Sequence, residues 1–205
     1  MRLKKGVLIV IEGIDGAGKS TQARLLHKKL LSEGYPAVYF REPTKGKWGR
    51  EVKKLARRAD SLSPEEELDL FLKDREENVK KNLRPALSRK KVVILDRYYF
   101  STIAYQGAKG ISPARIRKLH QAFAIKPDLV FILDINPAEG LERIRMRKRK
   151  DILFEREDYL ARARKIFRSF RGRTLIHMNA ARLRMELHRD IAARVQPFLH
   201  ARIRR

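Results

Sequence analysis

One segment of eight residues constrains this chain more than any other. Gly13-Ile14-Asp15-Gly16-Ala17-Gly18-Lys19-Ser20 fits the pattern G-x-x-x-x-G-K-[ST] at every fixed position. It lies between the apolar run Val7 to Ile11 and a helical pattern, Thr21 to Ser32, with Leu25, Leu26 and Leu30 on one face. A glycine-rich turn between a strand and a helix lets backbone N–H groups curl around a polyphosphate, and the helix N-terminus adds positive potential. Gly13, Ile14, Asp15, Gly16, Ala17, Gly18, Lys19, Ser20 and Thr21 are therefore the candidate phosphate cradle. Lys19 is placed to reach the β- and γ-phosphates, and the Ser20 hydroxyl to ligate Mg²⁺. Asp15 is out of place there, because phosphates repel a carboxylate. It is expected to face outward, to a substrate hydroxyl or to solvent.

The rest of the chain repeats the strand–helix alternation. Ala37 to Phe40, Val92 to Leu95, Leu129 to Leu133 and Thr174 to His177 read as further strands. Helical patterns cover Trp48 to Ala59, Ser63 through Leu83 with a kink near Pro85, Ser112 to about Ile125, Asn136 through Ile144, Leu153 to Phe170, and Leu183 to Val195. Ser63-Pro64-Glu65-Glu66 is a complete helix start, with Ser at the N-cap and Glu three residues on. Five apolar strands alternating with helices predict an α/β sandwich around a five-stranded, mostly parallel sheet. The 205 residues suit one domain, residues 1–205.

Composition excludes several classes. No apolar run approaches the ~20 residues of a membrane span. Glu12 and Asp15 interrupt the apolar stretch behind the basic start, so a secretory leader is not expected. There is no cysteine, which removes thiolate chemistry and disulfides and agrees with a cytoplasmic location. His27, His120, His177, His188 and His200 show no metal-ligand spacing. The formal net charge is +25, and residues 141–205 carry +13 of it. Such a charge invites a polyanionic partner, but no base-reading nucleic-acid module accompanies it. Four Asn, four Gln and many charges also match the pattern of thermophilic proteins.

A second motif follows the strand Val92 to Leu95. Asp96 at its carboxyl end is placed to hold Mg²⁺ with Ser20, and Arg97 to grip a second phosphate. The plain alternative is that Asp96 and Arg97 pair with each other at the strand terminus.

Together these segments resemble the thymidylate kinases. The resemblance runs in order over roughly residues 7 to 180. It is carried by Glu12 to Gln22, by Arg41-Glu42-Pro43, by Phe71 and Arg75, and by Asp96-Arg97-Tyr98-x-x-Ser101-Thr102-x-Ala104-Tyr105-Gln106. Pro127-Asp128-Leu129, Leu133-Asp134, the arginine-rich stretch Arg143 to Lys150 and Glu155-x-x-Asp158-Tyr159 complete it. It implies a P-loop kinase fold with a short lid at about residues 143–153, ATP and dTMP as substrates, Mg²⁺ as cofactor, and a cytoplasmic homodimer without a membrane or a specific nucleic-acid partner. The resemblance places ATP on residues 13–21. It places the acceptor against Asp15, Arg41, Pro43, Lys45, Phe71, Arg75, Arg97, Ser101, Thr102, Tyr105 and Gln106. Phe71 would stack on the base, and Arg75, one helical turn on, would bond its edge. Phe71 is also a plausible core residue, since Leu68 and Leu72 share its face. Tyr105 would sit at the sugar and Asp15 would accept from its 3′-hydroxyl.

Two departures matter. Some members carry an Arg in the phosphate loop where this chain has Gly16; those with Gly use lid arginines, here Arg143, Arg145, Arg147 and Arg149. Arg143 and Arg147 are the expected catalytic pair, alongside Lys19 and Arg97. Lys45 stands where other members have an Arg, and supplies charge without a bidentate fork. The alternatives are another P-loop nucleotide or nucleoside kinase, and a basic nucleic-acid-binding protein with an accessory phosphate loop.

Overall fold

Val7–Gly13 forms β1, and every residue in it is buried. That is the pattern of a strand covered on both faces of a parallel sheet. In the computed structural model, which describes residues 1–55, 63–148 and 154–203, β1 is the central strand. Ala37–Arg41 is β2, Val92–Asp96 is β3, Leu129–Asp134 is β4 and Leu175–Asn179 is β5. Their order is β2-β3-β1-β4-β5, and every pairing is parallel. The sheet is thus wholly parallel rather than mostly so. Ile11 and Arg41 both pair with Asp96, so the carboxyl ends of β1, β2 and β3 finish level.

Helices cover both faces: α1 (Lys19–Ser32), α2 (Lys47–Leu55), α3 (Pro64–Asn78), α4 (Arg84–Ser88), α5 (Tyr99–Ala108), α6 (Pro113–Gln121), α7 (Pro137–Lys148), α8 (Phe154–Ser169) and α9 (Arg184–His200). Helix α3 starts on the capping box read from the sequence, with Ser63 and Glu66 bonded reciprocally. It runs into α4 through a π-helical turn, Val79–Leu83, so the irregularity falls just before Pro85. Helix α2 ends at Leu55; the predicted continuation to Ala59 lies outside the described residues, as does Leu153. Helix α6 stops at Gln121, short of Ile125, because the chain turns there and Ile125 N–H donates to the Tyr98 hydroxyl at 2.8 Å.

Two elements differ more from the sequence reading. Helix α5 was not foreseen. Its start, Tyr98-Tyr99-Phe100, favours strands, and Phe100 to Ala104, Gln106 and Ala108 are all buried, so no amphipathic stripe marks it. Helix α9 continues past Val195 to His200, and the chain from there to Ile203 packs on the N-terminal segment. Leu199 is fully buried, Leu3 bridges Ile203, and Lys4 N–H donates to the Arg202 carbonyl at 2.9 Å.

Glycine brings the phosphate loop against α7. Gly16 has φ +82°, and a Cβ on it would overlap the Gly140 backbone. A Cβ on Gly140 would in turn lie 2.7 Å from the Asp15 carbonyl oxygen. An arginine at position 16 does not fit this approach, which accounts for the departure noted in the sequence. Gly140→Ala is expected to push α7 off the loop, destabilising the fold by about 1–3 kcal/mol. Urea unfolding of the variant measures this; an unchanged midpoint would show that the contact is slack.

Candidate functional site

The loop after β1 bends where its glycines allow. Gly13 has φ +137° and faces the Leu133 carbonyl, and Gly18, at φ +89°, caps α1 in the left-handed region. Lys19 follows on the first turn and is only 5% exposed. Its Nζ donates to the Ile14 carbonyl at 2.6 Å, folding the side chain back over the loop. Burial, with Arg97 adding repulsion, pushes its pKa down to about 7. Thr21, half-buried, completes the turn.

Ser20 Oγ donates to Asp96 Oδ2 at 2.5 Å. The Tyr39 hydroxyl donates to the same oxygen at 3.0 Å, and Arg41 Nε lies 3.5 Å from it. Asp96 is fully buried, and its other oxygen, Oδ1, has no hydrogen-bond partner among the described residues. An orphaned carboxylate oxygen beside a hydroxyl is a hard donor set that fits Mg²⁺, which completes its shell with water and phosphate oxygens. Tyr39 was not singled out in the sequence; only its register beside β3 reveals it.

Arg97 does not pair with Asp96. Its backbone takes φ 72°, its N–H continues the ladder to Ile11, and its guanidinium forms an ion pair with Asp15. Nη1 donates to Ser101 Oγ at 3.2 Å, and the group lies 5.3 Å from the centre of the Tyr105 ring. The odd carboxylate of the loop thus has a cationic neighbour. Tyr105 is pressed between these charges; burial first, then Asp15, holds its hydroxyl protonated well above the ordinary range.

Glu12, at the end of β1, holds this geometry. It is fully buried and accepts from Tyr98 N–H at 2.7 Å, Ser101 N–H at 3.1 Å and Ser101 Oγ at 2.6 Å. A carboxylate at the N-terminus of α5 satisfies its free amides and opposes its dipole. Burial raises its pKa, against the pull of these bonds and of Arg97.

Helix α3 carries two more of the predicted acceptor residues, Phe71 and Arg75. Phe71 is half-buried but, unlike Leu68 and Leu72, is not packed on the hydrophobic core. Arg75 is 2% exposed; its Nε donates to Glu42 Oε2 at 2.8 Å and its Nη1 to Thr102 Oγ1 at 2.9 Å. Asn78 reaches Glu42 at 2.8 Å, and Asp74 accepts from Thr44 N–H at 2.9 Å and from the Thr44 hydroxyl. Three residues of α3 therefore clamp the loop of Glu42, Pro43 and Thr44. Lys45 is exposed, and its carbonyl accepts from Arg50 at 2.9 Å. Gln106 is turned to α3: it is 1% exposed and its amide donates to Glu67 at 2.7 Å. Glu42, Thr44, Asp74 and Asn78 escaped sequence reasoning because their partners lie some 30 residues away.

The lid side is described in part. Arg143 donates to the Ala180 carbonyl at 2.9 Å and to Glu139 at 2.6 Å, which holds it against the β5–α9 turn. Arg145 is exposed on α7. The Arg147 side chain and residues 149–153 lie outside the described residues. No group of three or more His, Asp or Glu among the described residues suits a metal ion, and no described helix is long and apolar enough to cross a membrane.

Comparison with known proteins names this arrangement. The family model described as thymidylate kinase matches residues 11–191. The chain belongs to the thymidylate kinase family. A probable thymidylate kinase of Archaeoglobus fulgidus is 42% identical over 194 residues, 95% of this chain and 97% of that protein. A thymidylate kinase of Akkermansia muciniphila is 46% identical over 199 residues, 97% and 94%. One from Brachyspira hyodysenteriae is 45% identical over 179 residues, 87% of each. As a member of the thymidylate kinase family, the chain is a nucleoside monophosphate kinase, a phosphotransferase of the P-loop α/β fold.

Two outcomes follow from the site. Glu12→Ala leaves the Tyr98 N–H and the Ser101 hydroxyl without their buried acceptor, while the Ser101 N–H keeps the Tyr98 carbonyl at 3.1 Å, and should cost about 1–3 kcal/mol for each buried group left unpaired; denaturant unfolding reads the loss. Lys19 is largely neutral at pH 8 in the empty loop, since its pKa is lowered to about 7. A polyphosphate raises that pKa again, so ATP binding at pH 8 should take up protons. Calorimetry in two buffers of different ionisation enthalpy checks this, with no uptake expected for Lys19→Met.

Proposed function

We propose that the chain transfers the γ-phosphoryl group of ATP to dTMP, giving ADP and dTDP, with the residue roles set out below. The supporting observation is the convergence at the carboxyl ends of β1 and β3. There Ser20 of the phosphate loop meets Asp96, Asp15 meets Arg97, and Ser101 and Thr102 of α5 bond Arg97 and Arg75. Phosphoryl transfer needs two polyanions held in line and their charge neutralised, with little covalent chemistry from the protein.

On the donor side, the amides of residues 13–21 cradle the ATP phosphates. Lys19 leaves the Ile14 carbonyl for the β- and γ-phosphates and regains its proton there. Ser20 and Asp96 would hold Mg²⁺, which would supply positive charge to offset that of the phosphates. On the acceptor side, Arg97 holds the dTMP phosphate, with Ser101 beneath it. Asp15 accepts from the 3′-hydroxyl, and Tyr105 closes the space a 2′-hydroxyl would need. Phe71 stacks on the base and Arg75 bonds its edge; Arg41, Pro43 and Lys45 border the site, and Thr102 and Gln106 support it from α5. Arg143 and Arg147 stabilise charge on the transferring group as the lid closes. For Arg143 this means leaving Glu139 and Ala180.

The homodimeric state and cytoplasmic location belong to the same proposal and rest on the resemblance. The charge of +25 is met in part by these two anionic substrates, and no specific nucleic-acid partner is invoked. The deciding experiment is an acceptor panel with Mg-ATP. dTMP should be phosphorylated faster than dCMP, dAMP or dGMP, and Lys19→Met should abolish turnover without unfolding the protein. Equal or better use of another monophosphate would move the chain to a different acceptor class.

A further inference from the structure

His120 lies outside every motif in the sequence, yet it touches the residue proposed to read the base. It projects inward from α6, one turn after the fully buried Ile116, and is itself 1% exposed. Its Nε2 lies 3.0 Å from Arg75 Nη1. An arginine has only donors, so Nε2 must accept and the ring proton must sit on Nδ1. That Nδ1–H is buried and has no hydrogen-bond partner among the described residues. A site built only for packing would be better served by an apolar side chain, because an unpaired buried donor is costly. The remaining faces of the ring are aromatic: Tyr99 at 5.9 Å and Phe123 at 5.8 Å between ring centroids.

The guanidinium has five N–H groups in a rigid fork. Glu42 takes the one on Nε, and Thr102 and His120 take the pair on Nη1. No described residue accepts from the pair on Nη2. The three acceptors come from three elements, the β2–α2 loop, α5 and α6, and together they fix the rotation of the planar group. With Nε and Nη1 occupied, Nη2 is the end left to meet a ligand. Two donors there suit a base edge that presents a carbonyl oxygen, as thymine does. They oppose an edge that presents an amino group, as cytosine does.

We infer that His120 is a positioning residue for acceptor specificity: its Nε2 lone pair holds Arg75 with Nη2 turned to a carbonyl on the pyrimidine edge. The inference rests on the thymidylate reading of the acceptor site. The imidazole can do this only while neutral, and burial, then Arg75, drives its pKa down to about 2. It therefore remains an acceptor throughout the range in which the enzyme can be assayed.

Steady-state kinetics with dTMP and dCMP tests it. His120→Leu removes the acceptor, and His120→Met is a second apolar variant should the first fold poorly; thermal melting of each checks the fold. Loss of a hydrogen bond to a charged group should raise KM for dTMP about tenfold. KM for ATP should stay within about twofold, and the preference for dTMP over dCMP in kcat/KM should fall. His120→Gln, which restores an acceptor at similar reach, should recover most of the preference. In an Arg75→Ala background, His120→Leu should add nothing. The inference is overturned by an unchanged KM for dTMP, by equal losses toward dTMP and ATP, or by full additivity with Arg75→Ala. If the wild-type enzyme itself does not prefer dTMP, the thymidylate reading falls, and this inference with it.

Discussion

Much of the site hangs on one buried carboxylate. Glu12 is the penultimate residue of the central strand and takes three hydrogen bonds from Tyr98 and Ser101 at the start of α5. A buried charge is tolerable only when its lone pairs are filled, and here two backbone amides and the Ser101 hydroxyl fill them. The consequence is positional. The chain between β3 and α5 is fastened at its far end, so Arg97 is held in a left-handed conformation and its guanidinium meets Asp15. The phosphate loop and the acceptor motif, more than 80 residues apart in sequence, become one surface. In the proposed reaction, donor and acceptor would share the end of one strand, because the residue run Glu12 to Asp15 borders both.

A second fastening operates on the acceptor side. Asp74, Arg75 and Asn78 bind the loop after β2 through Thr44 and Glu42. Helix α3 is thereby set at a fixed height above the sheet, which leaves Phe71 off the core while Leu68 and Leu72 enter it. The stacking face proposed for the base is thus a by-product of one ion pair and the hydrogen bonds beside it, one turn further along. Helix α5 closes the arrangement. It is buried nearly all round, presents Thr102 to Arg75 and Ser101 to Arg97, and ties Gln106 back to α3.

The surplus of positive charge has a divided explanation. In the proposed reaction Arg97 and Lys19 meet the anionic substrates. Other cations are engaged within the fold: Arg164 with Asp134, Arg182 with Asp190, Lys29 with Glu33. Exposed pairs of that kind contribute little individually to stability.

The sequence alone determined the alternation of strands and helices, the phosphate loop, and the Asp96-Arg97 turn. Those features are local. Apolar runs must be buried, and glycines must stand where the backbone turns tightly around phosphate. The family resemblance placed Phe71 and Arg75 on one helix turn, but it left Phe71 balanced between core and site. Packing decided that, as it decided the roles of Glu12, Glu42, Tyr39 and His120, whose partners are brought near only by the parallel crossovers. Helix α5 stayed hidden for the complementary reason: buried on all sides, it carries no periodic contrast between apolar and polar faces. The contact of Ile203 and Arg202 with Leu3 and Lys4 joins the two ends of the described chain, a pairing that no local pattern in the sequence announces. What a residue is likes or dislikes water locally; what it touches is set by the whole sheet.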